Sequence, residues 1–123
     1  MPSIEKITMR DILSNKDNYI LGYFKSELIG IVFFYKFNLI SYITHIAIKK
    51  VYRGQLSEKI ANASIDWMSK NTDCKKLIAI FPSINFLAGV IARRCGFIYE
   101  GTIKKSFQRN GKIYDQHIFG KEV

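Results

Sequence analysis

Residues 49–60, KKVYRGQLSEKI, join two different hydrophobic periods. Before them, LISYITHIAI (39–48) is a nearly continuous apolar run rich in Ile, the composition of a buried strand. After them, Leu56, Ile60, Ala63 and Trp67, with Ser64 and Met68 beside them, recur at helical spacing. Ser57 is placed to cap that helix, which ends near Asn71. A strand that passes into a helix through Arg53 and Gly54 has the form in which backbone amides at a helix N-terminus meet an anion. The same turn would also serve simply to start a helix.

Working outward, strand-like runs cover about 18–25, 28–37 and 39–48, separated by KSEL and KFN. Connections this short imply an antiparallel meander. Residues 3–13 place Ile4, Ile7, Ile12 and Leu13 loosely at helical spacing, in a segment short enough to be an initial strand instead. Downstream, KKLIAIF (75–81) reads as a buried strand, and Ile84, Leu87, Ala88, Ile91 and Cys95 line one face of a second helix stopped by Gly96. GFIYEGTIKKSFQ (96–108) and KIYDQHIFG (112–120) flank RNGK, where Asn-Gly signals a hairpin.

The helix over 57–70 is a crossover long enough to make strands 39–48 and 76–81 parallel. Their carboxyl ends then face the same way, and the helix N-terminus points at the crevice between them. The expected fold is α+β, one domain over 1–123. It has a mixed, mostly antiparallel sheet with a central parallel pair and helices packed on its faces.

Nineteen Lys and Arg against ten Asp and Glu give a net charge of +9, which favours an anionic partner: a phosphorylated cofactor, nucleic acid or an acidic protein. The cations come as scattered pairs such as Lys49-Lys50 and Lys104-Lys105, a pattern that also serves solubility. They are not interleaved with aromatics in a nucleic-acid motif, so nucleic acid is possible but not favoured. Cys74 and Cys95 lack zinc-ligand spacing and no secretory leader precedes them; reduced thiols, no metal and a cytoplasmic setting are expected. The longest apolar run, LIGIVFFY (28–35), is far short of the ~20 residues that span a bilayer, so no membrane partner is expected.

FPSINFLAGVIARRCGFIYEGTIKKSFQRNGKIYDQHIFG (81–120), above all CGFIYEG followed by NGKIYD, resembles the GNAT superfamily of N-acetyltransferases, and HIAIKKVYRGQ (45–55) is similar to the strand and loop before its pyrophosphate-binding helix. The resemblance covers 18–121 and implies acetyl-CoA as co-substrate and an amine acceptor. It implies cofactor contacts at Ile46, Ile48, Arg53, Gly54, Gln55, Leu56, Ser57, Lys59 and Asn85. Leu56 and Glu58 stand where the family has small residues, so the loop is degenerate, and the family's thiolate-protonating Tyr is replaced by Ala92.

The strand carries no Asp or Glu; His45 is its one group titrating near neutrality, hence the candidate catalytic base, with a structural sheet histidine as the alternative. The family places a strand and one or two substrate helices where about 17 residues stand here. That implies a shallow acceptor groove suited to a protein amine, or one completed by a second subunit in a homodimer. The alternative function is a noncatalytic GNAT-like domain that binds a protein partner, motivated by Leu56, Glu58, Ala92 and the short N-terminus.

Overall fold

Alternating apolar residues and β-branched composition build a seven-stranded sheet, and the change to helical spacing after Gly54 sets a crossover helix across it. The computed structural model describes residues 6–11, 17–24 and 26–123, with side chains from Ser26 onward except Gln55. Its elements are β1 (Lys6–Asp11), β2 (Asp17–Phe24), β3 (Glu27–Lys36), β4 (Ser41–Ile48), a 3-10 turn (Lys50–Tyr52), α1 (Gln55–Asn71), β5 (Lys76–Pro82), α2 (Phe86–Arg94), β6 (Ile98–Arg109) and β7 (Lys112–Glu122).

The sheet order is β1-β2-β3-β4-β5-β7-β6, and every neighbouring pair is antiparallel except β4 and β5. The mixed sheet with its central parallel pair is as the crossover argument requires. Of the two readings of 3–13, the strand is the one found for Lys6–Asp11, which pairs with β2 from Lys6–Tyr23 to Asp11–Asn18. Ile4, Ile12 and Leu13 lie outside the described residues.

Two boundaries differ from expectation. Helix α1 begins at Gln55, not Ser57, and Gly54 is its N-cap with φ 106°, a conformation that side chains adopt only under strain. Ser57 cannot cap because it is already inside the helix, 1% exposed. The second helix begins after Asn85, whose Oδ1 accepts the Ala88 N–H at 3.1 Å, a cap that contributes ~1 kcal/mol. Gly96, with φ 88°, closes it, while the N–H of Phe97 reaches the Ala92 carbonyl at 2.9 Å. The Asn-Gly hairpin forms with Asn110 at φ 51° and Gly111 at φ 76°.

Phe34, Thr44, Ala79 and Phe119 lie side by side across β3, β4, β5 and β7, and so mark one face of the sheet. Both helices pack on that face: Ile60 of α1 lies over Gly30 of β3, and the Arg93 guanidinium of α2 sits 4.9 Å from the Phe119 ring centre. The core between them holds Phe34, Ile60, Met68, Leu77 and Phe119, each at most 1% exposed. The other face carries Tyr35, Ile43, His45, Ile80, Gln116 and Tyr114 at matching register positions, with no described helix over it. Cys74 and Cys95 are buried free thiols. Among the described residues no helix is long and apolar enough to cross a membrane.

Candidate active site

The parallel seam between β4 and β5 is short. Pairing runs from Ser41–Lys76 to Thr44–Ala79 and stops, although β4 continues to Ile48 and β5 to Pro82. Beyond Thr44 the two strands therefore part, and the gap is a cleft of about 310 Å³. Its helix-side wall includes Thr44, Ala61, Ile65, Ala88, Ile91 and Cys95; its other wall includes His45, Ile80, Gln116 and Phe107. The cleft thus passes between the strands and reaches both faces of the sheet.

Register fixes which backbone groups face it. The Lys49 N–H bonds the Ile29 carbonyl at 2.8 Å, and in an antiparallel ladder such bonded positions alternate, so Ala47 and His45 also bond β3. Ile46 and Ile48 then direct their N–H and C=O groups away from β3, towards β5. Since pairing with β5 ends at Thr44–Ala79, the Ile46 N–H has no strand partner among the described residues and points into the cleft. An unpaired amide in an apolar cleft is a strong hydrogen-bond donor awaiting an acceptor.

The segment from Ile48 to Ser57 leads from that point into α1. Arg53 Nε donates to the Ile48 carbonyl at 3.2 Å, so this arginine is tied back to the end of β4. The N–H of Glu58 makes the first helical bond, to Gly54, at 3.2 Å, which leaves the amides of Gln55, Leu56 and Ser57 without helical acceptors. Glu27, at the start of β3, holds the approach to this turn: its two carboxylate oxygens accept from Lys49 Nζ at 2.8 Å and the Tyr52 hydroxyl at 3.1 Å. These bonds hold its carboxyl below the usual carboxylate range. The sequence offered no signal for Glu27, because its partners lie 22 and 25 residues away.

The two departures in the loop are placed elsewhere than over it. Leu56 is 4% exposed and belongs to the core, so its bulk faces inward. Glu58 turns to α2, with its carboxylate 3.6 Å from Arg94 Nη1. The Gln55 side chain lies outside the described ones, and Lys59 is half-buried in the first turns of α1.

His45, Ile46 and Asn85 are brought together as cleft lining, whereas Ile48, Arg53, Gly54, Leu56, Ser57 and Lys59 are not part of that lining. His45 packs against the Tyr35 ring, centroids 5.4 Å apart, and desolvation lowers its pKa from 6.5, favouring neutral imidazole. Ala92 is buried in the cleft wall, and burial pushes the neighbouring Cys95 thiol up to about 11, so it stays protonated at neutral pH. His117 serves the sheet: its Nδ1 shares a hydrogen bond with Thr102, at 3.1 Å, and its ring packs edge-on to Tyr99.

No protein-family model matches the sequence, and no curated protein does. Solved structures do match in three dimensions. RimL, a ribosomal L7/L12 α-N-protein acetyltransferase in complex with coenzyme A, superposes with a TM-score of 0.82 at 18% identity, over 89% of this chain and 64% of that one. A GNAT-family acetyltransferase from Streptococcus pneumoniae gives 0.80 at 20% identity, over 88% and 68%. The chain has the GNAT fold. The spermidine/spermine N-acetyltransferase SpeG from Vibrio cholerae shares that fold too, with a TM-score of 0.82 at 21% identity, over 89% of this chain and 69% of that one. Measured against RimL, the GNAT-fold chain spans under two thirds of the other protein's length.

Proposed function

We propose that the protein is an N-acetyltransferase that takes acetyl-CoA into the cleft between β4 and β5 and transfers the acetyl group to an amine of a protein. The observation that carries this reading is the Ile46 N–H, without a strand partner among the described residues where β4 and β5 part and aimed into an apolar cleft. A thioester carbonyl there accepts that bond, and its oxygen gains negative charge as the amine attacks, so the donor stabilises the transition state more than the ground state. The amides of Gln55, Leu56 and Ser57, with Arg53 beside them, supply donors for the phosphates. Gly54 at φ 106° meets no atom within 4 Å at a notional Cβ, so the turn leaves room for an anion. With Leu56 in the core and Glu58 held towards Arg94, neither departure obstructs it.

In this reading His45, neutral at pH 7, takes the proton from the amine. The amine nitrogen bonds to the carbonyl carbon, the carbon–sulfur bond breaks, and the sulfur leaves with the electron pair and is protonated from solvent or from the imidazolium. A CoA thiolate is a good leaving group, so Ala92 in place of a phenol does not stop the step. The sheet face beside His45, over which no described helix packs, admits a macromolecular acceptor. RimL and SpeG differ in acceptor, one acting on a protein α-amine and the other on a polyamine. The net charge of +9 disfavours a polycation here.

Isothermal calorimetry with acetyl-CoA, followed by thiol-detected CoA release with a panel of peptides bearing free N-termini, tests the proposal. Saturable binding and peptide-dependent CoA release are expected. No heat at millimolar acetyl-CoA would sink the reading. Binding without transfer to any amine would instead support a noncatalytic GNAT-fold domain, which the buried Ala92 favours.

A further inference from the structure

Strands β6 and β7 run on past the rest of the sheet. β5 ends at Pro82 opposite Gln116, yet β6 and β7 stay paired out to Arg109–Lys112. Residues 104–114 therefore form a two-stranded arm at the end of the sheet where the cleft opens, and Phe107 of the arm lines the cleft. Alternation places Phe107 and Arg109 on one face of β6, and their partners Tyr114 and Lys112 on the same face of the arm as Gln116. Reading outward from the cleft, that face offers Gln116, then Phe107 beside Tyr114, then Arg109 beside Lys112. Each step is about 7 Å.

The charged side chains of residues 104–114 are all cationic. Lys104, Lys105, Arg109 and Lys112 make no ion pair among the described residues, while Lys36, Lys49, Lys70 and Lys76 each do. The neighbouring carboxylate just beyond Tyr114, Asp115, accepts the Lys105 N–H at 2.8 Å. Lys104 and Lys105 sit in the bulge of the edge strand, with Lys105 at φ 51°, and guard that edge against pairing. Arg109 and Lys112 do something else. They are like charges directly opposite each other across a strand pair, an arrangement unfavourable in itself that an anion relieves.

We propose that Arg109 and Lys112 select acidic acceptors: a flexible protein segment lays carboxylate side chains on this pair while its amine reaches His45 past Phe107 and Gln116. The selection rests on the acetyl-transfer reading for its purpose, since it names the substrate class of that cleft. A polyamine is repelled by the same charges. A nucleic acid brings no aliphatic amine for the transfer, and the aromatics beside the cations, Phe107 and Tyr114, are half-buried rather than open stacking platforms.

Fluorescence anisotropy with three C-terminally labelled ten-residue peptides, Glu-rich, Lys-rich and uncharged, and with a 20-mer single-stranded RNA, tests the selection directly. The Glu-rich peptide is expected to bind at least ten-fold more tightly than the Lys-rich one at 50 mM NaCl, and more weakly at 300 mM. The R109Q/K112Q variant should lose that preference. K70Q/K75Q, which removes the same charge at the far end of the sheet, should keep it. An acidic peptide bound no better than the basic one, equal binding by R109Q/K112Q, or tighter binding of the RNA overturns the proposal. CoA release from the same peptides reports separately on acetyl transfer: selective binding without release leaves the docking surface standing and removes the catalytic reading.

Discussion

His45 is where residue chemistry and register meet. Its backbone is spent on β3, its ring lines the cleft, and the next residue turns an amide into the same space. Desolvation lowers the pKa from 6.5, so the imidazole is a free base at and above that pH and is protonated only below it. The sign follows: kcat/KM for acetyl transfer should be flat above pH 6.5 and fall on the acid side. His45→Gln should reduce kcat on the order of 10²-fold and abolish the acid limb. A pH–rate series on both proteins checks this. An acid limb that survives His45→Gln would move the base elsewhere. His45 stands out in the sequence as a candidate base because β4 offers no carboxylate. What alternation alone obscured is that Thr44 and His45, on opposite faces, both reach the cleft because β4 and β5 part beside them.

The turn from β4 into α1 was legible as a turn but not in its register. Sequence alone favours Ser57 as the cap because Ser is a preferred residue just before an apolar helical period. The reversal is made two residues earlier by a positive-φ glycine, and the shift puts Leu56 on the core side of the helix. Leu56 and Glu58 remain departures from the family's small residues, but the one is in the core and the other is turned to Arg94. Glu27 was beyond reach of any local pattern, yet it fastens both Lys49 and Tyr52. Glu27→Ala is expected to weaken acetyl-CoA binding on the order of three-fold, the effect of losing an exposed clamp, with little change in melting temperature. Calorimetry beside thermal melting separates the two. Glu27→Gln, which keeps an acceptor for Tyr52, should lie between. The Lys49 and Tyr52 bonds hold the Glu27 carboxyl below the ordinary carboxylate value, so the clamp stays ionised through the mildly acid range in which the His45 imidazole gains its proton. Unchanged affinity in Glu27→Ala would mean that the turn holds its shape without the clamp.

Across the whole molecule, element order and the central parallel pair followed from the crossover between 39–48 and 76–81, whereas the length of that pairing did not. Ladder length depends on how the strands twist apart, which neither composition nor period encodes. The result is a sheet with a weak seam: four residue pairs join β4 to β5, against seven for β3–β4 and seven for β5–β7. The seam has a signature that needs no substrate to detect. In amide-resolved hydrogen exchange, His45 and Ala47, bonded to β3, should be protected, while Ile46 between them should exchange at least ten-fold faster, since only its amide faces the cleft. Acetyl-CoA should slow Ile46 and leave Ala47 nearly unchanged, because only the former gains a partner. Uniform protection from His45 to Ala47 in the free protein would mean that β4 and β5 are zipped beyond Thr44–Ala79. The cleft, the donor and the proposed chemistry would then fall together.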